Sequence, residues 1–75
     1  MNIFYNTIEK QSEKALLISF PVEYNMNMHS KSIWMPKSQV NIISDSVIEI
    51  ADWMVSKLER ENAFHGYYMY FSKAE

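Results

Sequence analysis

Residues 15–20 read Ala-Leu-Leu-Ile-Ser-Phe, apolar but for Ser19, and Pro21 follows directly. A run of this length with a β-branched member suits a central strand, and proline cannot continue a ladder as a donor. That strand belongs to a chain of 75 residues without cysteine. So short a chain makes one domain, spanning 1–75, and no disulfide or thiolate-bound metal can staple it. Unstapled small domains need a dense core or a partner. With 48% apolar and 15% aromatic residues, one glycine and two prolines, the composition is that of a folding chain. The aromatic load on so little interior also makes a second copy of the chain a candidate partner, as a homodimer.

The remaining segments build around that strand. Residues 3–8 read as a short edge strand or arm, and residues 9–14 (EKQSEK) as a polar turn. Residues 22–30 hold no glycine, which argues for a loop wider than a tight turn. Residues 31–36 form the next strand, with Ile33 and Met35 on one face and Ser32 and Trp34 on the other. Pro36 and Lys37-Ser38 break it, and residues 39–43 (QVNII) read as a further short strand.

Residues 44–62 support two readings. Val47, Ala51, Met54 and Leu58 lie at helical spacing, which suggests one long helix capped by Asp45 or Ser46. Three β-branched or strand-favouring positions among residues 47–50 favour a short strand there and a helix over about 51–62. In that helix Trp53 sits in the first turn, Met54, Val55 and Leu58 face the core, and residues 59–61 are solvated. Both tryptophans are candidates for the core, Trp53 more so than Trp34. Asn62 or Gly66 ends the helix, and only Gly66 takes positive φ cheaply. Residues 67–72 (YYMYFS) read as a closing strand with aromatics on both faces. The order predicts an α+β fold: a small antiparallel β-sheet with one helix, about residues 51–62, packed on one face.

Formal net charge is -2, from seven basic and nine acidic residues. A nucleic-acid groove usually carries a basic excess, so that class of partner is disfavoured. The N-terminal residues lack a basic region ahead of an apolar run, and no apolar run approaches the ~18 residues of a membrane span. The expectation is a soluble protein of the cytoplasm with no membrane partner.

Residues 31–40 (KSIWMPKSQV), followed by Ile48-Glu49-Ile50-Ala51-Asp52-Trp53-Met54, resemble a pattern in small proteins of phages and mobile elements. There a strand reading basic, small, Ile or Val, Trp, aliphatic, Pro, Lys, Ser, Gln precedes a short apolar strand and a helix opening with an acidic-Trp pair. Residues 15–18 resemble the upstream strand of that family, and the likeness spans residues 14–58. Family members often carry proline where this chain has Ala51, and often stop soon after the helix, so the closing aromatic run is a departure. The resemblance implies an accessory protein working in the host cytoplasm, with a host or phage protein as partner. It brings no catalytic residue.

Candidate chemistry within the chain is sparse. Metal sites need three or four converging ligands, whereas His29 and His65 lack partner ligands at i+3 or i+4. Both read as exposed loop residues, and no metal or cofactor is expected. Ser38 beside Lys37 would need an oxyanion hole built on glycine-rich backbone, which one distant glycine does not supply. Glu59 and Glu61 read as helix surface, and no phosphate-binding glycine loop exists. No enzymatic activity is expected.

Trp34, flanked by Lys31 and Lys37, has the character of an interface anchor. The expected partner-binding surface is Lys31, Trp34, Lys37 and Gln39, extended by Tyr68 and Tyr70. The expected function is occlusion of a host or phage protein, as an inhibitor of a host defence or nucleic-acid enzyme. The alternative is a small single-stranded nucleic-acid-binding or regulatory protein that stacks bases on Tyr67, Tyr68, Tyr70 and Phe71, with Lys73 on phosphate. A third reading is a structural subunit.

Overall fold

The computed structural model describes residues 1–69, and at Phe64, Tyr68 and Met69 the backbone. The elements are β1 (Asn2–Phe4), β2 (Thr7–Gln11), β3 (Ala15–Tyr24), β4 (Asn27–Pro36), a 3-10 turn (Lys37–Gln39), β5 (Asn41–Ile42), β6 (Val47–Glu49), α1 (Asp52–Phe64) and β7 (Tyr68–Met69). All strand pairs are antiparallel, and the fold is α+β as the order predicts. The strands divide between two sheets, one in the order β1-β6-β5 and one in the order β2-β3-β4 with β7 also on β3.

Alternation along β3 places Leu16, Ile18, Phe20 and Val22 on one buried face, joined across the ladder by Met35. Met54, Val55 and Leu58 of α1 close over them, with Ile3 and Ile48 of the second sheet and Ile50 just past β6 completing one core. Each such side chain contributes roughly 1.5–3 kcal/mol by leaving water.

The structure corrects the expected end of the central strand. β3 runs through Pro21 to Tyr24, and residues 22–30 are strand and turn, not loop. Hydrogen-bond phase explains it. Carbonyls of Ala15 and Ser19 accept from Ser12 and Asn6, so odd-numbered groups of β3 face β2. Pro21 is one of these. Its missing N–H falls between the last β2 pair, Thr7 with Ser19, and the first β7 pair, Met69 with Val22. No bond to β4 is lost.

The turn that follows is tight. Tyr24 pairs with Asn27, and between them Asn25 and Met26 both take positive φ, 53° and 64°. Two left-handed residues closing a hairpin are the type I′ arrangement, which asparagine tolerates and methionine does not favour.

Other boundaries shift as well. The polar run at residues 9–14 is half strand: β2 takes Thr7–Gln11, with a register shift between Ile8 and Lys10. The Ser12 hydroxyl then accepts from the Ala15 N–H at 3.1 Å. Residues 39–43 supply only the two-residue β5, after the 3-10 turn. At the corner between the sheets, the buried Tyr5 donates its hydroxyl to the Ser44 carbonyl at 2.9 Å.

Residues 44–62 are strand plus helix, not one helix. Asp52 in the first turn of α1 suits the positive end of the helix dipole. Gly66, at φ 84°, ends it. The N–H of Tyr67 reaches the Asn62 carbonyl at 2.9 Å and that of Gly66 the Ala63 carbonyl at 3.0 Å, the paired bonds of a Schellman cap. Tyr67 itself is not in the closing strand, and residues 70–72 of that expected strand lie outside the described residues. Among the described residues, no helix is long and apolar enough to cross a membrane.

Candidate functional site: a trough along an open strand edge

β4 pairs with β3 along its full length, and among the described residues no strand pairs with its other edge. The N–H of Lys37 donates to the Lys14 carbonyl at 2.9 Å, one step beyond the Ala15–Pro36 pair. Odd-numbered residues of β4 therefore bond to β3, and even-numbered ones face outward. Ser30, Ser32 and Trp34 offer both N–H and C=O to the open side, and Pro36 offers only its carbonyl. Proteins usually blunt such edges with bulges, short strands or charge. The other outer strand, β2, is short and irregular in register, whereas β4 has ten residues, no register shift and one formal charge, Lys31.

Between this edge and α1 runs a trough. A cavity of about 380 Å³ is lined by Trp34, Met35 and Gln39 on one side and Trp53, Met54 and Lys57 on the other. A second hollow, about 400 Å³, holds Lys31, Ser32, Asn62 and His65, and both share Ile33, Leu58 and Glu61. Together they follow β4 from Lys31 to Pro36, a length of about 20 Å at strand rise.

Both tryptophans border the trough and are exposed, Trp34 at 53% and Trp53 at 59%. The core position expected for Trp53 is corrected. Met54, Val55 and Leu58 already take the buried stripe of α1, and residue 53 lies outside it. Trp34 lies on the sheet face opposite Met35, beside Leu17 of β3, as its alternation requires.

The six expected binding residues do not form one patch. Trp34 and Gln39 line the same cavity. Lys31 is half-buried on the other sheet face from Trp34, its ammonium 4.2 Å from the centroid of the Tyr67 ring. Tyr67 stacks on Tyr24 at 4.8 Å, and His29 meets Tyr24 edge-on at 6.1 Å. Lys37 is half-buried in the 3-10 turn, just past the end of the trough. Tyr68 belongs to β7, which pairs with β3 on the side away from β4, and Tyr70 lies outside the described residues. Sequence reasoning missed Trp53, Lys57 and Glu61 as site residues. Their spacing of four, on the helix stripe next to the core stripe, is the signal that reveals them.

Charge is uneven here. Lys31, Lys37, Lys57 and Arg60 are four of the chain's seven basic residues, and all stand in or beside the trough. Glu61 is the one acidic residue lining it among those described, and its carboxylate is 4.0 Å from the Lys57 ammonium. His29 is an exposed strand residue, not the loop residue expected, and His65 is exposed just past α1. No group of three or more His, Cys, Asp or Glu side chains converges as a metal site among the described residues. No protein family, curated protein or solved structure matches the chain.

Proposed function

We propose that this protein works by binding another protein through the surface that carries Trp34 and Trp53, without catalysing a reaction. The observation that carries the reading is the exposure of both tryptophans on the border of one trough beside an unpaired strand edge. Tryptophan is the side chain most enriched at binding hot spots, and a domain this small gains more by burying it than by leaving it wet. The polar neighbours Gln39, Lys57 and Glu61 suit the rim that surrounds such anchors.

On the likeness carried by residues 31–40 and 48–54, the partner is a protein of a phage or its host, and the effect is occlusion. Inhibition of a host defence or nucleic-acid enzyme in the cytoplasm is the outcome we favour. The test is capture from host lysate with tagged wild type, Trp34→Ala and Trp53→Ala, with and without nuclease. The captured protein is then purified and titrated. Saturable binding, indifferent to nuclease and weakened about 30-fold by Trp34→Ala, supports the reading; that loss equals about 2 kcal/mol. Unchanged affinity in both tryptophan variants, or capture that nuclease abolishes, refutes it.

A further inference from the structure

We infer that the partner enters this trough as an extended segment, apolar at alternate positions and acidic toward its ends, which adds a strand to β4 beneath α1. The inference rests on the protein-binding reading above and names what the partner must present.

The backbone makes the first demand. Outward N–H and C=O groups at Ser30, Ser32 and Trp34 repeat every second residue, and only an extended main chain can meet such a row. A helix laid in the trough would present side chains to them and leave the row unmet. The trough is six β4 residues long, a span that a peptide strand of similar length fills.

Side-chain direction makes the second. Lys31, Ile33 and Met35 point to the helix side of the sheet. An added strand in register sends alternate side chains the same way, into the space bounded by Met54, Leu58 and Trp53. Opposite Ile33 and Met35 those residues are apolar. Trp53 overhangs them from the first turn of α1, and Trp34 borders the strand from the opposite sheet face.

Charge makes the third, and it decides between occupants. Lys31 and Lys37 bracket the edge, and Lys57 stands on the helix wall. A second copy of β4 would bring only another Lys31 into this setting, because that strand holds no acidic residue. Where outward residues pair with outward residues about a two-fold axis, one register sets Lys31 against its own copy and the neighbouring ones keep the two lysines close. Glu61 lines both hollows and stands 4.0 Å from the Lys57 ammonium, so the middle of the trough is balanced and the unmatched positive charge lies at its ends, where acidic residues of an entering segment meet Lys31 and Lys37.

The test selects random nine-residue peptides on the wild-type protein and measures the affinities of those enriched. Binding is then compared for Ser32→Pro, Ser32→Ala and a synthetic chain with an ester in place of the Ser32 amide. Ser32→Pro removes an outward donor and sets a ring on the edge, leaving the bonds to β3 in place. Ser32→Ala controls for the hydroxyl, which donates to the Glu9 carboxylate. The ester deletes the donor alone, so a misfolded proline variant does not decide the matter. Expected are peptides with alternating apolar residues and acidic ends, weakened at least 10-fold by Ser32→Pro and several-fold by the ester, and within about 3-fold of wild type for Ser32→Ala. Basic or non-alternating peptides, no enrichment, or indifference to both donor deletions overturns the inference. So does a wild-type dimer in light scattering that Ser32→Pro dissociates, since a second copy then holds the edge. If Trp34→Ala abolishes capture of the natural partner while both donor deletions leave it intact, protein binding stands and strand addition falls.

Discussion

A β-carbon on Gly66 would stand 3.4 Å from the ring of Tyr24, which joins the helix C-cap to the tip of the β3–β4 hairpin. Gly66 takes φ 84° to close the cap. Gly66→Ala therefore meets left-handed strain of roughly 1–2 kcal/mol before any contact is counted. At 3.4 Å the added carbon reaches ordinary contact with the Tyr24 ring, which Tyr67 stacks upon, so the backbone conformation supplies the penalty. Denaturant unfolding should show a loss of about 1–2 kcal/mol, with a melting midpoint lower by roughly 4–8 °C for each kcal/mol. An unchanged midpoint would mean that the cap opens without penalty.

The opposite change applies at the hairpin tip. Met26 holds φ 64° with a β-carbon and is almost fully solvated, so its side chain returns little for the strain. Met26→Gly should raise stability by about 1 kcal/mol, since asparagine followed by glycine is the favoured pair for this turn. The gain is partly offset by the greater freedom of glycine in the unfolded chain. A loss of stability would show that the turn is not held as described.

Much of the fold was legible because the periods are clean. Residues 15–20 are an apolar run of strand length, residues 31–36 alternate, and Met54, Val55 and Leu58 mark the core stripe of the helix. What could not be read was phase. Whether Pro21 breaks a strand depends on which neighbour its missing N–H faces, and that is set by where β2 ends and β7 begins. The tight turn at Asn25-Met26 is not legible in the sequence because the usual signal, glycine, is absent. For the site, the outer placement of Trp34 follows from alternation with Met35. Joining it to Trp53, Lys57 and Glu61 required the tertiary packing of α1 against the β4 edge.

Tyr5 gives the chain a distinct alkaline limit. Burial, with a smaller contribution from the charge of Asp45, raises its phenol above the usual value near 10. A group whose folded pKa is raised contributes stability that is complete below its unfolded pKa and lost as pH rises through the folded one. Stability from this source is thus flat to about pH 10 and declines above it. Tyr5→Phe should remove that share of the decline. At neutral pH it should cost about 1 kcal/mol for the lost bond to the Ser44 carbonyl. The check is denaturant midpoints of both proteins from pH 7 to 11; parallel curves would exclude the role assigned to Tyr5.

The two tryptophans and Phe20 should separate stability from binding. Phe20 is 1% exposed at the centre of the core, and Phe20→Ala should cost roughly 3–5 kcal/mol, enough to unfold much of so small a domain. Trp34→Ala and Trp53→Ala remove side chains that are more than half in water, so each should cost less than about 1 kcal/mol. Both indoles should also be quenched readily by acrylamide in the free protein and protected once the trough is filled. If either tryptophan variant proved as destabilising as Phe20→Ala, that indole would be structural, and the case for the trough as a binding surface would lose one of its two anchors.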